Sequence, residues 1–142
     1  MNTATAIHSA TLSFASLPAL GVELAGGTFR GITTLKDGTH CAVILLPNKA
    51  QERMNWQQTK EWAEAADGVM LTRPVGALLY ANAKDHFEPT LYWTSEELQT
   101  DTGDESDASC AWYCLFDIGG QGDYHKSAEG AAVAVRLIPL TA

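Results

Sequence analysis

Apolar and polar positions along the chain fall into short runs with two different periods. Residues 28–35 and 39–46 are rich in β-branched side chains and are separated by Lys36-Asp37-Gly38. Asp-Gly between two such runs predicts a hairpin. Within the second run, residues 41–46 (CAVILL) are continuously apolar, which predicts a central strand buried on both faces, and Pro47 ends it. The period then becomes helical. Asn55, with Gln58 three residues on, matches a capping box, and Trp56, Thr59, Trp62, Ala63 and Ala66 share one face as far as Asp67-Gly68. Trp56 and Trp62, beside alanines on a helix, read as core. A second helix is expected from Thr72-Arg73-Pro74, where the missing proline N–H costs nothing, to about residues 83–85, burying Val75, Leu78 and Leu79.

After an aromatic strand, Tyr92-Trp93-Thr94-Ser95, residues 96–107 hold six acidic side chains and almost no apolar ones, the pattern of a solvated loop. In the terminal stretch 111–140, strand alternation puts Trp112, Cys114, Phe116 and Ile118 on one side and Tyr113, Leu115 and Asp117 on the other. Gly119-Gly120-Gln121-Gly122-Asp123 is a turn, followed by a short polar strand at 124–127 and a closing apolar run at 131–140. The outward strand face and its loop then carry Tyr113, Asp117, Gln121, Asp123, Tyr124 and His125. That mixture of aromatic and short polar groups suits contact with a partner better than a core.

With 142 residues, 46% apolar and 18% charged, the chain has the size and composition of one globular domain. Two helices set among strands predict an α+β fold. Residues 1–24 are small and weakly patterned and are expected to form a loose arm with one short strand near 11–14. Residues 25–142 would form the domain. Such arms dock on a neighbouring subunit in many proteins, which is one route to a homo-oligomer.

The net charge of −8 argues against direct nucleic-acid binding, which needs a basic face. It leaves room for an acidic decoy that occupies a basic surface of a host protein through residues 96–107, with Glu97, Asp101, Asp104, Glu105 and Asp107 as the contacts. No window approaches the length of a membrane span, and the first residues lack the basic start of a signal peptide. Cys110 and Cys114 would lie about 13 Å apart on one strand, too far for a disulfide. A reduced setting follows, cytoplasmic or on a particle assembled there.

Candidate chemistry changes this little. Asp101, Asp104, Glu105 and Asp107 could offer calcium oxygen ligands, but TDTGDESD lacks the alternating spacing of an EF-hand loop. His8, His40, His86 and His125 are dispersed, so no zinc site is assigned and no cofactor is expected. Hydrolase, zincin and phosphate-loop motifs are missing, and no catalytic residue is assigned.

The order Gly26-Gly27, His40, Asn55-Trp56, Leu71-Thr72-Arg73-Pro74, Tyr92-Trp93-Thr94-Ser95 and Ala111-Trp112-Tyr113 resembles the Legionella-collagen-like C-terminal family of bacterial and phage domains, over about residues 25–138. The proline has moved to follow the arginine, and the acidic loop is long. The resemblance implies a C-type-lectin-like fold, with two helices packed on small antiparallel sheets. It also implies a phage or prophage origin and a protein or surface ligand held by the last strands and their loop. The same fold is that of formylglycine-generating enzymes, whose copper site uses two cysteines. Cys110 and Cys114 stand one residue closer than that motif, and a buried Cys114 reads as a small hydrophobe. The expectation is therefore a binding protein rather than an enzyme.

Overall fold

The computed structural model describes residues 10–98 and 109–142. In chain order the elements are β1 (Leu12–Ser13), β2 (Glu23–Leu24), β3 (Gly27–Thr34), β4 (His40–Leu45), α1 (Trp56–Ala65), α2 (Arg73–Ala83), β5 (Leu91–Glu97), β6 (Cys110–Leu115), β7 (Gln121–His125) and β8 (Val135–Thr141), with 3-10 turns at Phe14–Ser16 and Lys84–His86. A five-stranded sheet runs β1-β8-β4-β3-β2, and a three-stranded sheet runs β5-β6-β7. The mixed α+β class is as expected.

β4 holds the middle of the larger sheet, and Cys41, Ala42, Val43 and Ile44 are wholly buried there. Its alternation feeds two cores. Cys41, Val43 and Leu45 meet Val75, Leu79 and Ala83 of α2 together with Tyr92, Cys114 and Phe116. Ala42, Ile44 and Leu46 meet Trp56 and Ala63 of α1 together with Phe29, Trp93, Ala111 and Ile138. A continuously apolar strand is what a strand packed on both sides requires.

Both helix starts follow their local signals. The Asn55 side chain accepts from the Gln58 amide at 2.9 Å, and the Gln58 side chain accepts from the Asn55 amide at 3.0 Å. Such a cap contributes about 1 kcal/mol. α1 ends where Asp67 adopts φ 59°. Thr72 caps α2, its hydroxyl accepting from the Val75 amide at 3.2 Å, with Pro74 inside the first turn.

The segment expected as an arm is joined to its own chain. Leu12 pairs in parallel with Leu140 of β8, Glu23 and Leu24 pair with β3, and Leu12, Leu17 and Leu24 pack against the α1-side core. Among the described residues no helix is long and apolar enough to cross a membrane.

Candidate binding face

The three-stranded sheet is the frame of the site. β6 lies between β5 and β7, with Cys110 opposite His125, Trp112 opposite Asp123 and Cys114 opposite Gln121. Opposed residues share a face, so Trp112, Cys114, Gln121, Asp123 and His125 point one way, and Ala111, Tyr113, Gly122 and Tyr124 the other. The expected single outward face is thereby split: Tyr113 and Tyr124 lie opposite the side that carries Gln121, Asp123 and His125.

Burial corrects the expectation further. Tyr113 is half-buried, packs edge-on to Trp93 with ring centroids 6.3 Å apart, and belongs to the α1-side core. Gln121 is half-buried and turned inward. Asp117, Asp123, Tyr124 and His125 are exposed, Tyr124 to 57%. Ile118, expected beside Phe116, is 73% exposed. The chain leaves the strand at Leu115 and turns, with Gly119 at φ 80°, so alternation no longer governs Ile118. Asp117 spends its carboxylate on the Ile118 amide at 2.8 Å, a local turn bond.

Behind β7 stands an arrangement that alternation alone did not signal. The Arg73 guanidinium lies on the Trp112 ring, 3.6 Å from its centroid. Its Nε donates to Gln121 Oε1 at 3.0 Å, and Gln121 Nε2 donates back to the Arg73 carbonyl at 2.8 Å. The same amide reaches Cys114 Sγ at 3.3 Å. Glu96 accepts from the Arg73 backbone N–H at 2.7 Å, supplying the negative charge that the first turn of α2 lacks in its own sequence. Arg73 is thus locked by stacking and by a two-way amide clamp, while its Nη atoms keep no hydrogen-bond partner among the described residues. The available signal was a basic residue in the first turn of a helix, where the dipole disfavours it and another role has to hold it.

Cysteine chemistry is muted here. Burial pushes the Cys114 thiol up to about 11, against weaker lowering by the Gln121 hydrogen bond and the Arg73 charge. At neutral pH it is protonated, a poor nucleophile and a poor metal ligand. Cys41 is likewise raised by burial. No group of three or more His, Cys, Asp or Glu suited to a metal lies among the described residues. Asp101, Asp104, Glu105 and Asp107, named for calcium and for the decoy surface, lie outside them. Of the acidic residues in 96–107 that are described, Glu96 is bound to α2 as above and Glu97 pairs with Lys126.

A cavity of about 740 Å³ lies elsewhere, lined by residues including Gly27, Arg53, His86, Glu88 and Tyr92. Arg53 pairs with Glu88 at 3.1 Å, and the Tyr92 hydroxyl accepts from the Glu88 amide at 3.0 Å. These contacts hold the segment after Pro47 against β5.

Compared with protein-family models, curated proteins and solved structures, the chain matches none.

Proposed function

We propose that the chain is a non-catalytic binding domain of C-type-lectin-like fold, holding a protein or surface ligand along β7 and the Arg73–Trp112 platform beside it. The observation that carries this reading is the edge of β7, which pairs with no further strand among the described residues. Lys126 donates to Ser109 and Leu115 to Gly120, so Gly122 and Tyr124 turn their backbone groups toward β6. Gln121 and Asp123 then turn theirs, and His125 its N–H, away from the sheet. An edge of this kind accepts an extended segment by strand addition, with side chains on either face giving selectivity.

The side chains around that edge suit contact. Tyr124 offers a large amphipathic ring with few torsions to freeze, and Asp123 and His125 add directional hydrogen bonds. Arg73, already immobilised, loses little further freedom on meeting a partner. The fold reading is supported by two helices packed with two small sheets, and the phage or prophage origin rests on the family resemblance.

The test is affinity capture from bacterial lysate with the wild-type protein and with an Asp123→Ala, Tyr124→Ala, His125→Ala variant. All three side chains are exposed, so the variant should melt as the wild type does. A protein enriched by the wild type and lost from the variant supports the reading. Equal capture by both, or no enrichment over bare resin, counts against it.

A further inference from the structure

Near the opposite end of α2 from the Trp112 platform, β3 carries a bulge. Phe29 pairs with Ile44, but Ile32 pairs with Ala42, so one extra residue lies on β3 between those pairs. Gly31 supplies the needed backbone at φ 128°. The bulge interrupts alternation, and the neighbours Phe29 and Arg30 are both buried, Arg30 to 8% exposure.

Among the described residues this arginine is a buried cation without a carboxylate partner. Its Nε donates to Thr28 Oγ1 at 3.0 Å and its Nη2 bonds His86 Nε2 at 3.0 Å. A guanidinium only donates, so the imidazole Nε2 is the acceptor in that bond. None of the ion pairs among the described residues involves Arg30, and its Nη1 makes no hydrogen bond among them. A buried charge without a counter-charge costs several kcal/mol.

Arg30 lines a cleft of about 340 Å³ together with Ala81, Asn82, Ala83, Lys84, Asp85 and His86. Asn82 donates to the Arg30 carbonyl, and its Oδ1 is a buried acceptor with no partner among the described residues. Lys84, exposed, also lines the cleft, with its ammonium resting 5.1 Å from the centroid of the Tyr80 ring. Asp85 is the single acid in it, exposed and outside ion-pair distance of Arg30. The carbonyl end of α2 works against an anion, and Lys84 at its C-cap offsets that locally.

We infer that this cleft binds a small oxyanion, a phosphate or a carboxylate group, as the counter-charge to the buried guanidinium, through Arg30 and His86, with Lys84 swinging off the Tyr80 ring to join them. The lining comes from two elements, the β3 bulge and the turn after α2. Arg30 is held by Thr28 and His86 before any ligand arrives. The unpartnered Asn82 acceptor favours a ligand that also carries a proton donor, as a hydrogen phosphate does. This site is separate from the β7 edge and stands whether or not β7 binds a partner.

Thermal unfolding of the whole chain in inorganic phosphate, in acetate and in chloride at matched ionic strength tests it. The expected result is a saturable Tm rise with an oxyanion, about 4 °C at roughly tenfold excess over its Kd, beyond any effect of chloride. A response to phosphate alone assigns phosphoryl groups, and an equal response to acetate assigns carboxylates. A Lys84→Gln, His86→Gln variant, changed only at exposed positions, should fold and lose the rise. Arg30→Met, where it folds, should lose it as well. No rise above chloride, or a rise of equal size in the Lys84→Gln, His86→Gln variant, overturns the inference.

Discussion

The Arg73 guanidinium carbon lies 3.6 Å above the centroid of the Trp112 ring, and Gln121 grips the same arginine from β7 at both its Nε and its carbonyl. One side chain thereby ties the start of α2 to the middle and the edge strands of the smaller sheet. The contact does two jobs: it braces β7 from behind and leaves the guanidinium's Nη atoms without a hydrogen-bond partner among the described residues.

If the stacking is energetic and not incidental, Arg73 and Trp112 should be coupled. A double-mutant cycle over Arg73→Ala and Trp112→Ala, read by urea unfolding, should give a coupling of about 1 kcal/mol. Arg73→Lys should behave more like Arg73→Ala than like the wild type, because an ammonium neither lies flat on the ring nor keeps the Gln121 fork. Additive single variants would refute the coupling.

The two tyrosines of the terminal strands should part company. Tyr113→Ala removes an aromatic packed on Trp93 and should cost roughly 2–4 kcal/mol of stability, as large core truncations do. Tyr124→Ala, at an exposed position, should change stability by less than about 0.5 kcal/mol. Equal losses from the two would mean that the faces of β6 and β7 are assigned wrongly.

What was legible in the chain, and what was not, follows the range of the rules involved. The Asp37-Gly38 hairpin, the Asn55–Gln58 box, the Thr72 cap and the doubly buried β4 are each set by residues within a few positions of one another. Tyr113 failed because period-two alternation says which residues share a face but not which face is covered. In β6 both are, one by the α2 side and one by the α1 side. The same alternation, carried through β7, separates Tyr124 from Asp123 and His125. Ile118 failed because the strand ends before it. Arg73 finds Trp112 and Gln121 far along the chain, and no local pattern announces such a meeting. Arg30 is buried by a bulge whose one trace in the sequence is Gly31.

Gly76 of α2 sits directly against Cys114: a Cβ built there would overlap its sulfur. Gly76→Ala gains helix propensity of about 1 kcal/mol yet should destabilise on balance, since overpacking of a tight core costs roughly 1–3 kcal/mol. Adding Cys114→Ala removes the obstructing sulfur and should recover most of the loss. Melting curves of the single and double variants decide it, and a Gly76→Ala protein as stable as the wild type would show that the helix and β6 are further apart than this packing requires.

Stability should also fall in alkali, for a reason located at Cys114. Its thiol keeps its proton in the folded chain to about pH 11, whereas an ordinary thiol titrates near 9.0. Between those values the unfolded chain has released a proton that the folded chain still holds, so rising pH favours unfolding. The contribution is complete below pH 9.0 and drains away as pH approaches about 11. Cys41 and Tyr92, both raised by burial, push in the same direction. Urea midpoints measured across this range should therefore decline in the wild type. Cys114→Ala should start lower at neutral pH, through lost packing, and then decline less steeply, because one of the proton-releasing groups is gone. Parallel slopes for the two proteins would place the alkaline loss elsewhere, in Tyr92 or in Cys41 of the central strand.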